Sequence, residues 1–169
     1  HDSNGGALVE DNVFLSGLGI SSGATVGNGQ ILNNLFQIRA DDSYWAIRLY
    51  GPGNVVSGNE ISHLGSREGT DHTDRPLISL IGSENLSGNE ITHNVFTGAG
   101  AAIAVSGATI GAVNVISDNR FESVSPVIVN DTETELDVTH NWWGDNAGPA
   151  EGAVVGPVDT SEHLTATIG

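Results

Sequence analysis

Four of the chain's five arginines, Arg39, Arg48, Arg67 and Arg75, share one stretch with Tyr44, Trp45, His63, Glu68 and several aspartates. Aromatic rings pack on pyranose faces, carboxylates accept hydrogen bonds from sugar hydroxyls, and a guanidinium forks onto a carboxylate. Together these residue types suit recognition of a saccharide, and of an acidic one in particular. The residues offered for such a site are Arg39, Asp41, Asp42, Tyr44, Trp45, Arg48, Asp71, His72, Asp74 and Arg75. A plainer reading competes with this one: arginine and aspartate at such density pair with one another and pin a long surface loop.

Catalysis finds less support. Glycoside hydrolysis needs paired carboxylates, and no strand carries them in that pattern, so no catalytic residue is assigned. His63 and His93 each end a Ser-Gly-Asn-Glu-Ile-x-His run, which places them at one repeat position as a stacked surface pair. His140 reads as a turn residue. His1 would bind copper only with a second histidine brought beside it, so no copper site is assigned. Asp41-Asp42-Ser43, Asn130-Asp131-Thr132-Glu133 and Asp145-Asn146 hold calcium-type oxygens without a recognised loop spacing. No metal or cofactor is expected, and a structural calcium ion is left open.

What must position these residues is a repeat. Asn12, Asn34, Asn59, Asn89, Asn119 and Asn141 each follow an aliphatic residue by three places: Val9, Ile31, Val56, Leu86, Ile116 and Val138. Two places after each comes Phe14, Phe36, Ile61, Ile91, Phe121 or Trp143. Self-similarity at periods of this length marks a solenoid, whose units bury their apolar faces only against neighbours. Apolar residues alternate within each unit, as in Val115-Ile116-Ser117-Asp118-Asn119-Arg120-Phe121, and alternation predicts strands. A second short strand follows in each coil, at Ala46–Leu49, Leu77–Leu80, Ala102–Val105 and Val127–Val129, with a weaker copy at Gly19–Ser21. Strands recurring in one order must stack in parallel. Six coils at about 4.8 Å per strand give a rod on the order of 29 Å long. The asparagines are expected to form one structural ladder, bonding the backbone at a bend. Coils two, three and four carry the longest links to the second strand, so their loops should bulge at one corner.

These repeats resemble the right-handed parallel β-helix of the pectate-lyase-like proteins. Ser57-Gly58-Asn59-Glu60-Ile61-Ser62-His63 and Ser87-Gly88-Asn89-Glu90-Ile91-Thr92-His93 carry the likeness. The run Asn141-Trp142-Trp143-Gly144-Asp145-Asn146-Ala147-Gly148-Pro149 is similar to a closing motif of bacterial and archaeal surface β-helix proteins. The resemblance spans Val9 to Pro157 and implies an all-β fold: a right-handed parallel β-helix of about six coils. Residues 1–158 form the helix domain in this reading, and 159–169 a tail or cap segment. The resemblance also admits a polysaccharide lyase or epimerase, with Tyr44, His72 or Arg75 as base and Asp71 and Asp74 near a calcium ion. Asp71-His72-Thr73-Asp74 departs from the family's Asp-Pro-His-Asp motif in order and in lacking the proline, which weighs against an enzyme; were it one, it would be a polysaccharide lyase or epimerase.

Composition sets the surroundings. With 21 acidic residues, five arginines and no lysine the formal charge is −16, which repels nucleic acid and anionic lipid. Such a surface suits high salt, though GC-rich coding or cation gathering would also produce it. Cysteine and methionine are absent, so no disulfide or thiolate site exists. No 18-residue apolar run is present to span a membrane, and the first residues lack a signal peptide's pattern. The expected setting is extracellular or the cell surface, either after removal of an export signal or as a piece of a longer chain. The expected role is structural or adhesive, with further coils or identical subunits stacked end to end. An acidic-polysaccharide module is the alternative. Trp142 and Trp143 should lid the last apolar layer, while Gly5 to Val9 offer no comparable lid at the start.

Overall fold

Each turn contributes three short strands. The first has β1 (Leu8–Glu10), β2 (Val13–Leu15) and β3 (Ile20–Ser21); the second has β4 (Gln30–Leu32), β5 (Leu35–Arg39) and β6 (Ile47–Leu49). The third has β7 (Val55–Ser57), β8 (Glu60–Leu64) and β9 (Ile78–Gly82), and the fourth β10 (Glu90–Thr92), β11 (Val95–Thr97) and β12 (Ile103–Gly107). The fifth has β13 (Val115–Ser117), β14 (Arg120–Glu122) and β15 (Ile128–Asp131). After it come β16 (Leu136–Asp137), β17 (Val154–Val155) and β18 (Val158–Asp159). This computed structural model describes residues 6–15, 20–21, 27–39, 45–64, 76–82, 86–98, 100–107, 114–122 and 126–165.

Like strands stack over like. Sheet A runs β1-β4-β7-β10-β13-β16-β18, sheet B β2-β5-β8-β11-β14, and sheet C β3-β6-β9-β12-β15-β17. Every pairing is parallel. The chain is an all-β parallel solenoid of about five turns, with no helix among the described residues.

Alternation builds the core. In sheet A the inward column is Val9, Ile31, Val56, Ile91 and Ile116; in sheet B it is Phe14, Phe36, Ile61, Phe96 and Phe121. Sheet C supplies Ile20, Ile47, Ile78, Ile103, Ile128 and Val154. Residues from Phe36 to Phe121 in the sheet B column are at most 1% exposed, so a parallel stack of three narrow sheets excludes water without any helix. Phe14 lies flat on Phe36 with centroids 4.6 Å apart, and Phe96 on Phe121 at 5.2 Å. Trp143 continues the column 5.1 Å from Phe121, at the last rung.

The corners flanking sheet A differ from the expectation. There are two asparagine columns, not one. The first is Asn12, Asn34, Asn59, Asn94, Asn119 and Asn141, with steps of 22, 25, 35, 25 and 22 residues. The second, five residues earlier in each turn, is Asn54, Asn89 and Asn114. Asn89 therefore does not stack between Asn59 and Asn119; it shares its corner with Asn54. Ile91 is correspondingly a sheet A residue, and Phe96 takes the place over Ile61. The fourth turn has no bulge at the sheet B to sheet C corner, because Asn94 leads to Ile103 as directly as Asn119 leads to Ile128.

Backbone geometry explains why both corners look alike in sequence. The residue before each first-column asparagine is left-handed: Asp11, Asn33, Gly58, His93, Asp118 and His140 all have φ between 53° and 69°. Before the second column, Gly53 and Gly88 do the same. Asp, Asn, His and Gly are the residues that tolerate this region. His93 is one such corner residue. His63 instead points inward from β8 in register with Ile38 and is buried, so the two histidines do not stack.

Two outcomes follow. Asn94→Ala deletes the acceptor for the backbone and side-chain amides of Asn59, and should cost roughly 2–4 kcal/mol by urea unfolding. A loss under about 0.5 kcal/mol would contradict a locked column. Gly107 has φ 131°, and a Cβ there would meet Gly82 O at 1.9 Å; Gly152 has φ 77° and nothing within 4 Å. Gly107→Ala should therefore lower the thermal midpoint far more than Gly152→Ala.

Candidate functional site

The outer face of sheet C holds the groove that brings two of the sequence-selected residues together. Outward side chains form columns along the rod: Arg48, Ser79, Ala104 and Val129 in one, Ile81, Ser106 and Asp131 in the next. Small residues in the middle of these columns leave a trough of about 300 Å³, with Trp45, Arg48 and Pro76 at one end and Asp131 at the other. Strand alternation fixes this arrangement. In β6 the pattern sends Ile47 and Leu49 into the core and leaves Arg48 half-buried on the outside.

Arg48 is the organising cation. Its guanidinium carbon sits 3.9 Å from the Trp45 ring centre and 4.9 Å from that of Tyr50. Two rings around one guanidinium hold it in place. The groove thus offers a fixed positive charge, aromatic surface, the hydroxyls of Ser79 and Ser106, and the Asp131 carboxylate. Those groups can bind a polyhydroxylated anion. Arg48 and Asp131 are the titratable side chains among the described lining residues.

The other selected residues divide. Arg39 ends β5 on sheet B, exposed, and does not line the groove. Asp41, Asp42, Tyr44, Asp71, His72, Asp74 and Arg75 lie outside the described residues. Ser79 and Ser106 carry no signal of residue type, and Asp131 stands out in sequence only within an oxygen-rich stretch. Their signal was available as the outward positions of successive second strands.

The oxygen-rich stretches that are described serve turns. Asn130 Oδ1 accepts from the Thr132 amide at 3.2 Å and from the Thr132 hydroxyl at 2.7 Å. Asp145 Oδ1 accepts from the Ala147 amide at 2.8 Å. Among the described residues no group of three His, Asp or Glu side chains converges to hold a metal. Asp159, on β18 and not in the groove, has its carboxyl held below the usual range by hydrogen bonds from the Ser161 backbone and side chain. A carboxyl lowered on folding adds stability above its unfolded pKa and loses it as pH falls further. Asp159→Asn should therefore lower the unfolding midpoint at pH 7, and its deficit should shrink as pH falls below the ordinary carboxyl value of 3.8. A deficit that does not change with pH would show that the charge is not involved.

No family model, no curated protein and no solved structure matches this chain.

Proposed function

We propose that this chain is a rigid rod segment of an extracellular or cell-surface protein, with a structural or adhesive role. The observation that carries the reading is where the buried polar groups go. Asn34, Asn54, Asn59, Asn89, Asn94, Asn119 and Asn141 are buried, and their amides join one turn to the next rather than converging on a reactive centre. A solenoid whose interior polarity is committed to axial locking resists bending and is suited to projecting or spacing. Composition supports the setting, since the chain has no oxidisable sulfur and a lysine-free surface with formal charge −16. The likeness of Asn141 to Pro149 to the closing motif of surface β-helix proteins points the same way.

The trough on sheet C favours a second reading, an acidic-polysaccharide-binding module. Arg48 would meet the sugar carboxylate, and Ser79, Ser106 and the rings would meet the remainder. The two readings separate on one experiment. A structural rod keeps its small-angle scattering profile in Trp45→Ala and Arg75→Ala and is not retained by immobilised uronate polymers. Saturable retention weakened about tenfold or more by Trp45→Ala and by Arg48→Ala would replace the first reading with the second. Fractionation of producing cells tests the location: recovery in the medium or at the surface is expected, and recovery in the cytosol would overturn it.

A further inference from the structure

The two ends of the solenoid are not equivalent, and the difference is chemical. Each sheet begins with a strand of the first turn, β1, β2 or β3, whose second edge has no strand partner among the described residues. The apolar rung of that turn, Val9, Phe14 and Ile20, is only partly buried, whereas Ile31, Phe36 and Ile47 one turn on are 4%, 0% and 0% exposed. Leu8, Val13 and Leu15 around it are 59%, 62% and 65% exposed. At the far end Trp143 covers Phe121, and Leu164 donates its amide to Asn141 O at 2.9 Å.

The first asparagine column also has a direction. Each Oδ1 from Asn34 to Asn141 accepts both the backbone and the side-chain amide of the asparagine one turn before it, at 2.8–3.2 Å. Asn12 Oδ1 is the one member that receives neither, among the described residues. The first turn therefore presents an acceptor, open apolar surface and three strand edges that all face the same way.

We propose that this end is a docking surface for one more solenoid coil of the same polypeptide, running in the same direction and carrying an asparagine above Asn12. The inference rests on the rod reading and decides what completes the rod. A second copy meeting head to head would set one Asn12 Oδ1 against another, with no donor between them, and would oppose the strands. It would also bring together two chains of formal charge −16. Head-to-tail contact meets an end where Trp143 already sits over Phe121 and Leu164 already occupies Asn141 O. A parallel coil instead supplies two donors to Asn12 Oδ1, pairs all three edges and covers Val9, Phe14 and Ile20.

The test inserts a duplicate of residues 7–28 directly ahead of Ala7, and in a separate protein a duplicate of residues 29–53 at the same place. In both, the donated coil ends one residue before the position equivalent to Ala7, because Gln30 bonds Ala7 O and Val55 bonds Gly29 O in matching fashion. Hydrogen exchange of the original Leu8 and Glu10 amides should slow at least tenfold in either fusion, and the thermal midpoint should rise. Changing the donated ladder asparagine to alanine should remove most of that protection. The proposal is overturned if neither fusion protects these amides, or if the asparagine change makes no difference. It is also overturned if the unextended chain gains the same protection with rising concentration, which would make a second copy the occupant. Any of these results leaves the rod reading intact, since that depends on scattering shape and polymer retention.

Discussion

One carboxamide oxygen, accepting two amides from the turn before it, is the contact on which this molecule is built. A parallel solenoid gains its sheets cheaply but must turn sharply between them, and at each bend backbone groups lose their strand partners. An asparagine answers this with one side chain. Asn59 shows the full set: its Oδ1 accepts from Asn34, while its Nδ2 donates to Ile31 O, Ser57 O and Asn94 Oδ1. The residue before it takes the left-handed backbone, which aims the amide along the rod axis. Because every member bonds the next, a defect is felt by two turns, and the steps between columns stay free to vary in length. That freedom is why 22 and 35 residues can both make one turn.

The same chemistry explains what could be read from residues alone and what could not. Strand alternation and the recurrence of Asn-x-aromatic were enough for an all-β parallel stack, since inward positions such as Phe36 and Phe121 have no other way to be buried. Register was harder in the fourth turn. Ser57-Gly58-Asn59 and Ser87-Gly88-Asn89 are identical in sequence yet occupy different corners, because both corners ask for a left-handed residue followed by asparagine. The apolar partner discriminates: four of the five sheet B column residues are phenylalanine, and Phe96, not Ile91, stacks on Phe121. The histidine pair failed with the same slip. The groove was half-visible. Trp45 and Arg48 stand out by type, but Ser79 and Ser106 matter through smallness and position, which composition does not flag.

The frame is asymmetric in two directions. Laterally the rod displays columns of outward residues whose spacing is fixed by the sheets, and the trough at Arg48 arises where those columns carry small side chains. Axially the column of amides runs one way, so the two ends are chemically distinct surfaces. The Arg120–Glu122 and His140–Glu162 pairs lie on the outside of this frame, where ion pairs contribute little to stability.

The most direct measurement of the central claim is a pair of double-mutant cycles on the corner asparagines. Alanine substitutions at Asn59 and Asn94 remove two ends of one shared bond, so their unfolding free energies should fail to add by about 1–3 kcal/mol. Asn59 and Asn89 sit in different columns and should add to within about 0.5 kcal/mol. Strong coupling of Asn59 to Asn89, with none to Asn94, would place the turns in another register and contradict the structure described above.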